Sequence, residues 1–323
     1  MGVGWIGRHR MEAMLATGLV EAAAVADPSA EMVAEAVKLA PNAKEVDGLD
    51  AMLREGLDGV VIATPSALHA EQSIAALEAS AALFCQKPLG RDAAEAARVV
   101  EAARRADRLL DVDFSYRHTE GMRRIRELVR AGELGRVFAV DLTFHNAYGP
   151  DKPWFYDKAL SGGGPLMDLG VHLIDSALWC LDFPRIDQVA GRIWRAGDPV
   201  VPNDQVEDYA SASLVTETGI TINIACSWRL HAGTEARIEM HVHGTEGGAS
   251  LTNPGGGFYD FAAHRHDGTA TRELAAPPDA WGGRMAQAWA RQLAADPRFD
   301  PQADRLVDLS RVIDRIYASA RAG

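Results

Sequence analysis

Apolar and polar positions change their period about a third of the way along the chain. Up to residue 114, short apolar runs alternate with longer helical stretches. Leu19–Ala26, Val60–Ala63, Ala82–Cys85 and Leu109–Phe114 read as strands. Ile6–Ala16, Ser29–Leu39 (with Ser29 as N-cap), Ala67–Ala79 and Arg91–Ala106 read as helices. That alternation predicts a parallel sheet with helices on both faces. In such sheets ligands bind beyond the carboxyl ends of the strands. Asp27, Thr64–Ser66, Gln86–Pro88 and Ser115–Arg117 all fall at those ends.

Beyond about Gly121 the pattern becomes that of an α+β domain. A helix at Met122–Ala131 leads into a strand at Val137–Phe144, then a long loop, then a helix at Leu166–Leu181. Strand-like runs follow at Gln188–Trp194, Asp208–Thr216, Thr221–Trp228, Ala236–His243 and Ala249–Leu251. Ile220, Ile222 and Ile224 alternate with polar residues, as do Ile238, Met240 and Val242, which predicts an antiparallel sheet with one covered face. Helices at Ala280–Ala294 and Ala303–Ala320 close the chain. The expected division is a Rossmann dinucleotide-binding domain over 1–118 and an α+β substrate-binding and oligomerisation domain over 119–323, with a large, mostly antiparallel open sheet.

The 323-residue length suits two domains. A net charge of −12 disfavours binding nucleic acid or anionic membranes through a general field. Arg123, Arg124, Arg126 and Arg130 read as a solvated helix face. The three cysteines, Cys85, Cys180 and Cys226, lie far apart in apolar surroundings, which predicts reduced buried thiols and a cytoplasmic location. No signal peptide and no bilayer-spanning apolar run is visible.

Candidate chemistry begins at the first residues. Gly2-Val3-Gly4-Trp5-Ile6-Gly7 reads G-x-G-x-x-G, and Asp27 stands about 20 residues beyond the last glycine, at the end of the next strand. The glycines allow a tight turn, close approach of backbone to pyrophosphate and close helix packing, while Asp27 is placed to accept from ribose hydroxyls. A carboxylate there repels a 2′-phosphate, and no Lys or Arg follows until Lys38, so NAD is expected in preference to NADP. Downstream, Gly162–Gly164 precede Asp168 and His172, which are i, i+4 on a helix and share a face. A carboxylate one turn from an imidazole raises its pKa and fixes its tautomer, as a general acid/base requires. Asp175 lies one further turn on. His241 and His243 share a strand face, and His264 and His266 repeat the spacing. No third ligand lies close in sequence, and no metal is expected.

Taken in order, the glycine motif, Asp27, Ala63-Thr64-Pro65 with His69, Lys87-Pro88, the helix of Asp168 and His172, and Gly244-Thr245-Glu246-Gly247 resemble the Gfo/Idh/MocA oxidoreductases over essentially the whole chain. The resemblance implies NAD(P)-dependent oxidation or reduction at a sugar or polyol carbon. It implies cofactor contacts from Gly2, Gly4, Trp5, Ile6, Gly7, Asp27, Thr64, Pro65, Ser66, His69, Gln86 and Lys87. Lys87, Asp168 and His172 match the catalytic group. By that analogy His172 takes the hydroxyl proton, Asp168 orients His172 or the substrate, and Lys87 polarises the reacting oxygen. Arg117, His145, Asn146 and Trp154 are candidate polyol contacts, and each has a structural alternative. Family members commonly pair through the second domain's sheet, which implies a homo-oligomer, a dimer or a tetramer.

Two departures stand out. Gln86 occupies the place of the family's glutamate, either as a tolerated variant that retunes Lys87 or as a mark of decay. A decayed site would leave a dinucleotide sensor on the same fold, the alternative to an enzyme. The second departure is that the strand expected before the glycine motif is missing. That strand is central in the Rossmann order, so the natural chain is expected to start several residues upstream, with Met1 a misplaced start or a truncation point. A chain lacking the strand is expected to bind its cofactor weakly.

Overall fold

Short parallel strands carry the first part of the molecule, and a nine-stranded sheet carries the second. The computed structural model describes residues 1–200, 205–279 and 281–322. The chain divides into two compact units. One comprises Met1–Ser115 with Gly282–Asp308, and the other comprises Tyr116–Trp281 with Leu309 onward.

In the first unit, β1 (Ala24–Val25) pairs with β2 (Lys44–Glu45), while β3 (Gly59–Ile62), β4 (Ala82–Cys85) and β5 (Leu110–Val112) form a separate parallel sheet in the order β3-β4-β5. Helices α1 (Trp5–Leu15), α2 (Ala30–Leu39), α3 (Leu49–Leu53), α4 (Ser66–Glu78) and α5 (Ala93–Ala106) connect them. Ser29 caps α2 as expected, its Oγ accepting from Met32 N. Strand β4 is fully buried along its length, as a central strand covered on both faces must be. Strands β1 and β3 do not pair with each other. Met1 and Gly2 run between them: Gly2 N donates to Ala26 O (2.9 Å), Ala63 N to Met1 O (2.9 Å) and the Met1 amino group to Val61 O (2.9 Å).

The expected boundary at 118/119 misses a return of the chain. Helix α9 (Arg284–Ala295) buries Met285, Ala286, Trp289 and Ala290 with Phe84, Leu109 and Met14, so it belongs to the first unit's core. The Phe84 and Trp289 rings lie 5.7 Å apart. A side chain at Gly59 would sit 2.7 Å from the Trp289 ring, which is why that strand starts on glycine. The helix starts at Arg284 because Gly283, at φ +81°, ends the loop before it; Ala280, included in the expected helix, lies outside the described residues.

The second unit holds β6 (Val137–Asn146), β7 (Ile186–Arg195), β8 (Asp198–Pro199), β9 (Tyr209–Thr216), β10 (Thr221–Ser227), β11 (Ala236–Gly244), β12 (Gly248–Thr252), β13 (Ala262–Asp267) and β14 (Ala270–Ala275). Their order is β14-β13-β12-β11-β6-β10-β9-β7-β8, antiparallel except for β6 beside β10. Period-two alternation holds: Val140, Leu142 and Phe144 on β6, Ile222, Ile224 and Cys226 on β10, and Ile238, Met240 and Val242 on β11 are buried on one face. Helices α6 (Glu120–Arg130) and α8 (Val171–Cys180) pack on the sheet, and α10 (Asp304–Ala322) sets Ile316 against Gly191 of β7. The chain's own helices thus cover the apolar face. The outer face is largely polar, with Asp141, Asn223, His241 and His243 on it. Among the described residues no helix is long and apolar enough to cross a membrane.

Candidate functional site

The glycine turn in the first unit assigns each glycine a separate job. Gly2 has φ +76°, and a Cβ there would lie 2.5 Å from Ala63 O. A Cβ on Gly7 would lie 2.1 Å from Gly2 O, so helix α1 sits directly on the turn. A Cβ on Gly4 meets nothing within 4 Å, which leaves the backbone there open to a ligand. No side chain caps α1 and no acidic residue lies in its first turn, so its positive end suits an anion. Trp5, 55% exposed, stands at the helix start. Asp27 accepts from Val3 N (2.8 Å) and Ser29 N (2.9 Å), which ties the acid to the glycine turn. These features fit a dinucleotide: open backbone for the pyrophosphate and a carboxylate for the ribose.

The ends of β3 and β4 come next. Thr64 Oγ1 bonds Gln72 (2.6 Å), and Ser66 starts α4 with Pro65 as its N-cap. His69, 1% exposed, spans two turns: Nδ1 lies 2.6 Å from Pro88 O and Nε2 lies 2.7 Å from Thr64 O. Burial lowers its pKa against the two carbonyls, which raise it. Lys87 is half-buried on the turn after β4. Gln86, 7% exposed, donates from Nε2 to Asp113 Oδ2 (2.8 Å). Buried as they are, His69 and Gln86 tie loops together and are not exposed contact groups for a cofactor.

In the second unit, Asp168 sits in a π-helical turn, Leu166–Gly170, that runs into α8 with His172. The expected single helix Leu166–Leu181 is therefore irregular at its start, a place where π turns often mark functional sites. Asp168 Oδ2 accepts from Trp228 Nε1 (3.1 Å). The His172 ring packs edge-to-face on Tyr116, centroids 5.1 Å apart. Tyr116 is buried, and desolvation followed by the Asp168 charge pushes its phenol far above the usual value. The start of this helix is held by a residue remote in sequence. Glu207, 2% exposed, accepts from Gly164 N (3.0 Å), Leu166 N (3.2 Å) and Tyr317 OH (2.8 Å). Burial raises the Glu207 pKa against those hydrogen bonds. The glycine run exists for this packing. A Cβ on Gly163 would lie 2.0 Å from Tyr317 OH, and one on Gly164 2.1 Å from Glu207 O.

Two regions match one family. Residues 1–114 match the NAD-binding Rossmann fold of the oxidoreductase family, and residues 122–250 match a Gfo/Idh/MocA C-terminal domain. Inositol 2-dehydrogenase of Acidiphilium cryptum (strain JF-5) is 32% identical over 79% of this chain and 73% of its own length. The chain belongs to the Gfo/Idh/MocA family. D-glucoside 3-dehydrogenase of Escherichia coli (strain K12) is 25% identical over 82% of this chain and 78% of its own. The structure of a levoglucosan dehydrogenase, in complex with NADH and levoglucosan, has the same fold at TM-score 0.83, covering 99% of this chain and 96% of that one at 20% identity. This places the chain in a family of NAD(P)-dependent sugar oxidoreductases.

Of the four candidate polyol contacts, Arg117 and His145 are engaged by other side chains, Trp154 reaches Trp228 through Phe155, and Asn146 keeps a buried oxygen without a partner. Arg117 grips Asp175 of α8 with both nitrogen arms, Nε to Oδ2 at 2.7 Å and Nη2 to Oδ1. Asp175 is buried and Arg117 half-buried, and burial raises the Asp175 pKa against the pull of Arg117. Arg117 is thus occupied in a structural ion pair, and Asp175 faces it. His145 lies on the sheet's outer face, opposite to Phe144, because successive strand residues alternate. Its Nδ1 bonds Ser227 Oγ (2.7 Å), its ring stacks on Tyr209, and burial lowers its pKa. Neither residue is placed as a substrate contact. Asn146 shares the face of Phe144, and its side-chain Oδ1 is buried with no hydrogen-bond partner. Trp154 stacks on Phe155 at 3.8 Å, and Phe155 meets Trp228, the donor to Asp168. The residues missed from sequence were Trp228, Tyr116, Glu207, Asp113 and Arg10. Only Trp228, an aromatic at a strand end, carried a local signal.

The strand histidines occupy the outer face. His243 Nε2 lies 3.0 Å from Asp141 Oδ2, and His266 Nε2 lies 2.9 Å from Ser250 Oγ. Among the described residues no group of three or more His, Cys, Asp or Glu is arranged to hold a metal.

Proposed function

We propose that this chain is an NAD-dependent dehydrogenase acting on a hydroxyl carbon of a sugar or cyclic polyol. The observation that carries the reading is that Asp168 and His172 lie four residues apart on one helix start anchored by Glu207, with Asp168 held by Trp228. A nicotinamide dinucleotide, when bound, supplies the hydride acceptor or donor. His172 takes the hydroxyl proton as general base and returns it in the reverse direction. Asp168, itself fixed by Trp228, orients the imidazole or a neighbouring hydroxyl. Lys87 donates to the reacting oxygen and polarises it. The uncommitted Oδ1 of Asn146 accepts from a substrate hydroxyl, and Trp154 offers a face for a sugar ring. The open backbone at Gly4 and the carboxylate of Asp27 hold the dinucleotide, and Asp27 disfavours a 2′-phosphate.

The test is NADH formation with a panel of inositols, aldoses and glycosides. NADH binding with no turnover on any of them would favour a dinucleotide sensor. Turnover with NADP equal to that with NAD would refute the role of Asp27. Three buried free thiols, Cys85, Cys180 and Cys226, support a reducing, cytoplasmic setting. Two or more copies pair through the outer sheet face, which light scattering of the purified chain measures. Apart from the family resemblance, its support on the surface is Phe138, 46% exposed on that face.

A further inference from the structure

Helix α1 and the chain just past β4 and β5 bring together a closed group of four buried polar side chains. Asp113, just past β5, accepts three hydrogen bonds: Arg10 Nε (2.5 Å) and Gln86 Nε2 (2.8 Å) on Oδ2, and Ser115 Oγ (2.8 Å) on Oδ1. Arg10 Nη2 closes the group onto Ser115 Oγ (3.1 Å), and its Nη1 lies 2.9 Å from His9 Nδ1. Arg10 and Ser115 are 1% exposed, Asp113 2% and Gln86 7%. A buried carboxylate is tolerable only when paired and fully hydrogen-bonded, and here one cation and two neutral donors do both.

The position of this group gives it meaning. Arg10 belongs to α1, the helix that begins at the glycine turn. Gln86 opens the turn that carries Lys87 and is itself pinned to β3, its N donating to Ile62 O (2.8 Å). Asp113 is pinned to β4, its N donating to Cys85 O (3.0 Å). We propose that Asp113 is a positioning residue that holds the lysine-bearing turn to the nucleotide-binding helix, acting through Gln86 on one side and Arg10 on the other. The inference rests on the reading of Lys87 and the glycine turn given above. It accounts for the amide at position 86. A glutamate there would set a second carboxylate at hydrogen-bond distance from Asp113, and two carboxylates so close cannot both ionise. The negative charge next to the lysine turn is supplied by Asp113, and Gln86 must be a donor.

The test compares Gln86→Glu and the double variant Gln86→Glu/Asp113→Asn with wild type, as purified full chains. Thermal unfolding and NADH affinity are followed across pH, the affinity well below every unfolding midpoint. In Gln86→Glu the shared proton raises one folded carboxyl pKa. Stability relative to wild type then falls as pH rises from about 4.3, the ordinary glutamate value, to the raised value, and stays level above it. NADH affinity should fall about tenfold or more on the alkaline side and recover on the acid side, one pKa unit being a factor of about ten. The double variant keeps one carboxylate for Arg10 and should follow the pH course of wild type. A single variant that unfolds earlier but binds NADH as wild type does at every pH would overturn the positioning role. So would a double variant no better than the single one. A wild-type chain that binds no NADH would instead sink the dehydrogenase reading, and this inference with it.

Discussion

Trp228 decides how Asp168 points, and the contact separates orientation from packing. Its indole donates to Asp168 Oδ2 while its ring meets Phe155 and Tyr156. Trp228→Phe keeps most of the packing and removes the donor. A hydrogen bond to a charged group contributes about 1.5–3 kcal/mol. The variant should lose about tenfold or more in kcat with NADH affinity unchanged, measured by steady-state kinetics beside fluorescence titration. Arg117 gives the opposite expectation. Because it pairs with buried Asp175, Arg117→Met should strand a carboxylate and cost about 3–5 kcal/mol of stability. Adding Asp175→Leu should restore most of it. Both show in thermal unfolding. An Arg117→Met chain of wild-type stability with a raised KM would instead mark Arg117 as a substrate contact. These pairs were not legible in sequence because each closes over a long separation: 60 residues for Trp228 and Asp168, 58 for Arg117 and Asp175, 103 for Arg10 and Asp113. Local patterns report which side chains are buried, and they do not report who satisfies them.

Elements were far more legible than partnerships, because helices and strands obey short periods. Strand β4 and helix α2 with its Ser29 cap sit where periodicity and capping place them. The glycine run before Asp168 was legible as a place of close backbone approach, and the structure names its neighbours. That arrangement can be tested by pairing substitutions. Gly163→Ala meets the Tyr317 hydroxyl and Gly164→Ala meets the Glu207 backbone oxygen. Overpacking of this kind costs about 1–3 kcal/mol. Tyr317→Phe removes the oxygen at 2.0 Å but leaves the ring Cζ at 2.8 Å, so Gly163→Ala should be destabilising in wild type and less so, though still unfavourable, on a Tyr317→Phe background. Gly164→Ala should remain destabilising on both, since no side-chain change withdraws a backbone carbonyl. Thermal unfolding of the six chains reads the cycle. The short β2, α3 and β8 were missed, and so were the longer β13 and β14: residues 264–266 (His-Arg-His) and 271–273 (Thr-Arg-Glu) are polar on both faces, so alternation gives no signal there.

The whole molecule carries a pH dependence set by buried histidines. His69 and His145 have lowered pKa values, burial being the first cause for each, and so do the less buried His9 and His266. A histidine whose folded pKa is depressed contributes stability that is present in full above its unfolded value near 6.5 and is lost as pH falls through the folded one. Glu207 and Asp175 work in the other direction. Their folded pKa values are raised by burial, so their contribution is complete at acid pH and is lost as pH rises through the raised values. The two sets oppose each other over the weakly acid range, and the net curve alone assigns nothing. Substitution separates them. His69 stands on two backbone carbonyls of loops that contain Thr64 and Pro88, and His69→Gln keeps an amide N–H donor for one of these acceptors while removing the titration. The variant should unfold at lower temperature than wild type at neutral pH, because two short contacts are replaced imperfectly. The gap should narrow as pH is lowered through the folded histidine value, since only wild type must then protonate a buried ring. Denaturant unfolding of both chains from neutral to weakly acid pH measures that gap. A gap that stays constant over the range would show that His69 does not titrate on folding, and the clip between the two turns would then hold a neutral imidazole throughout.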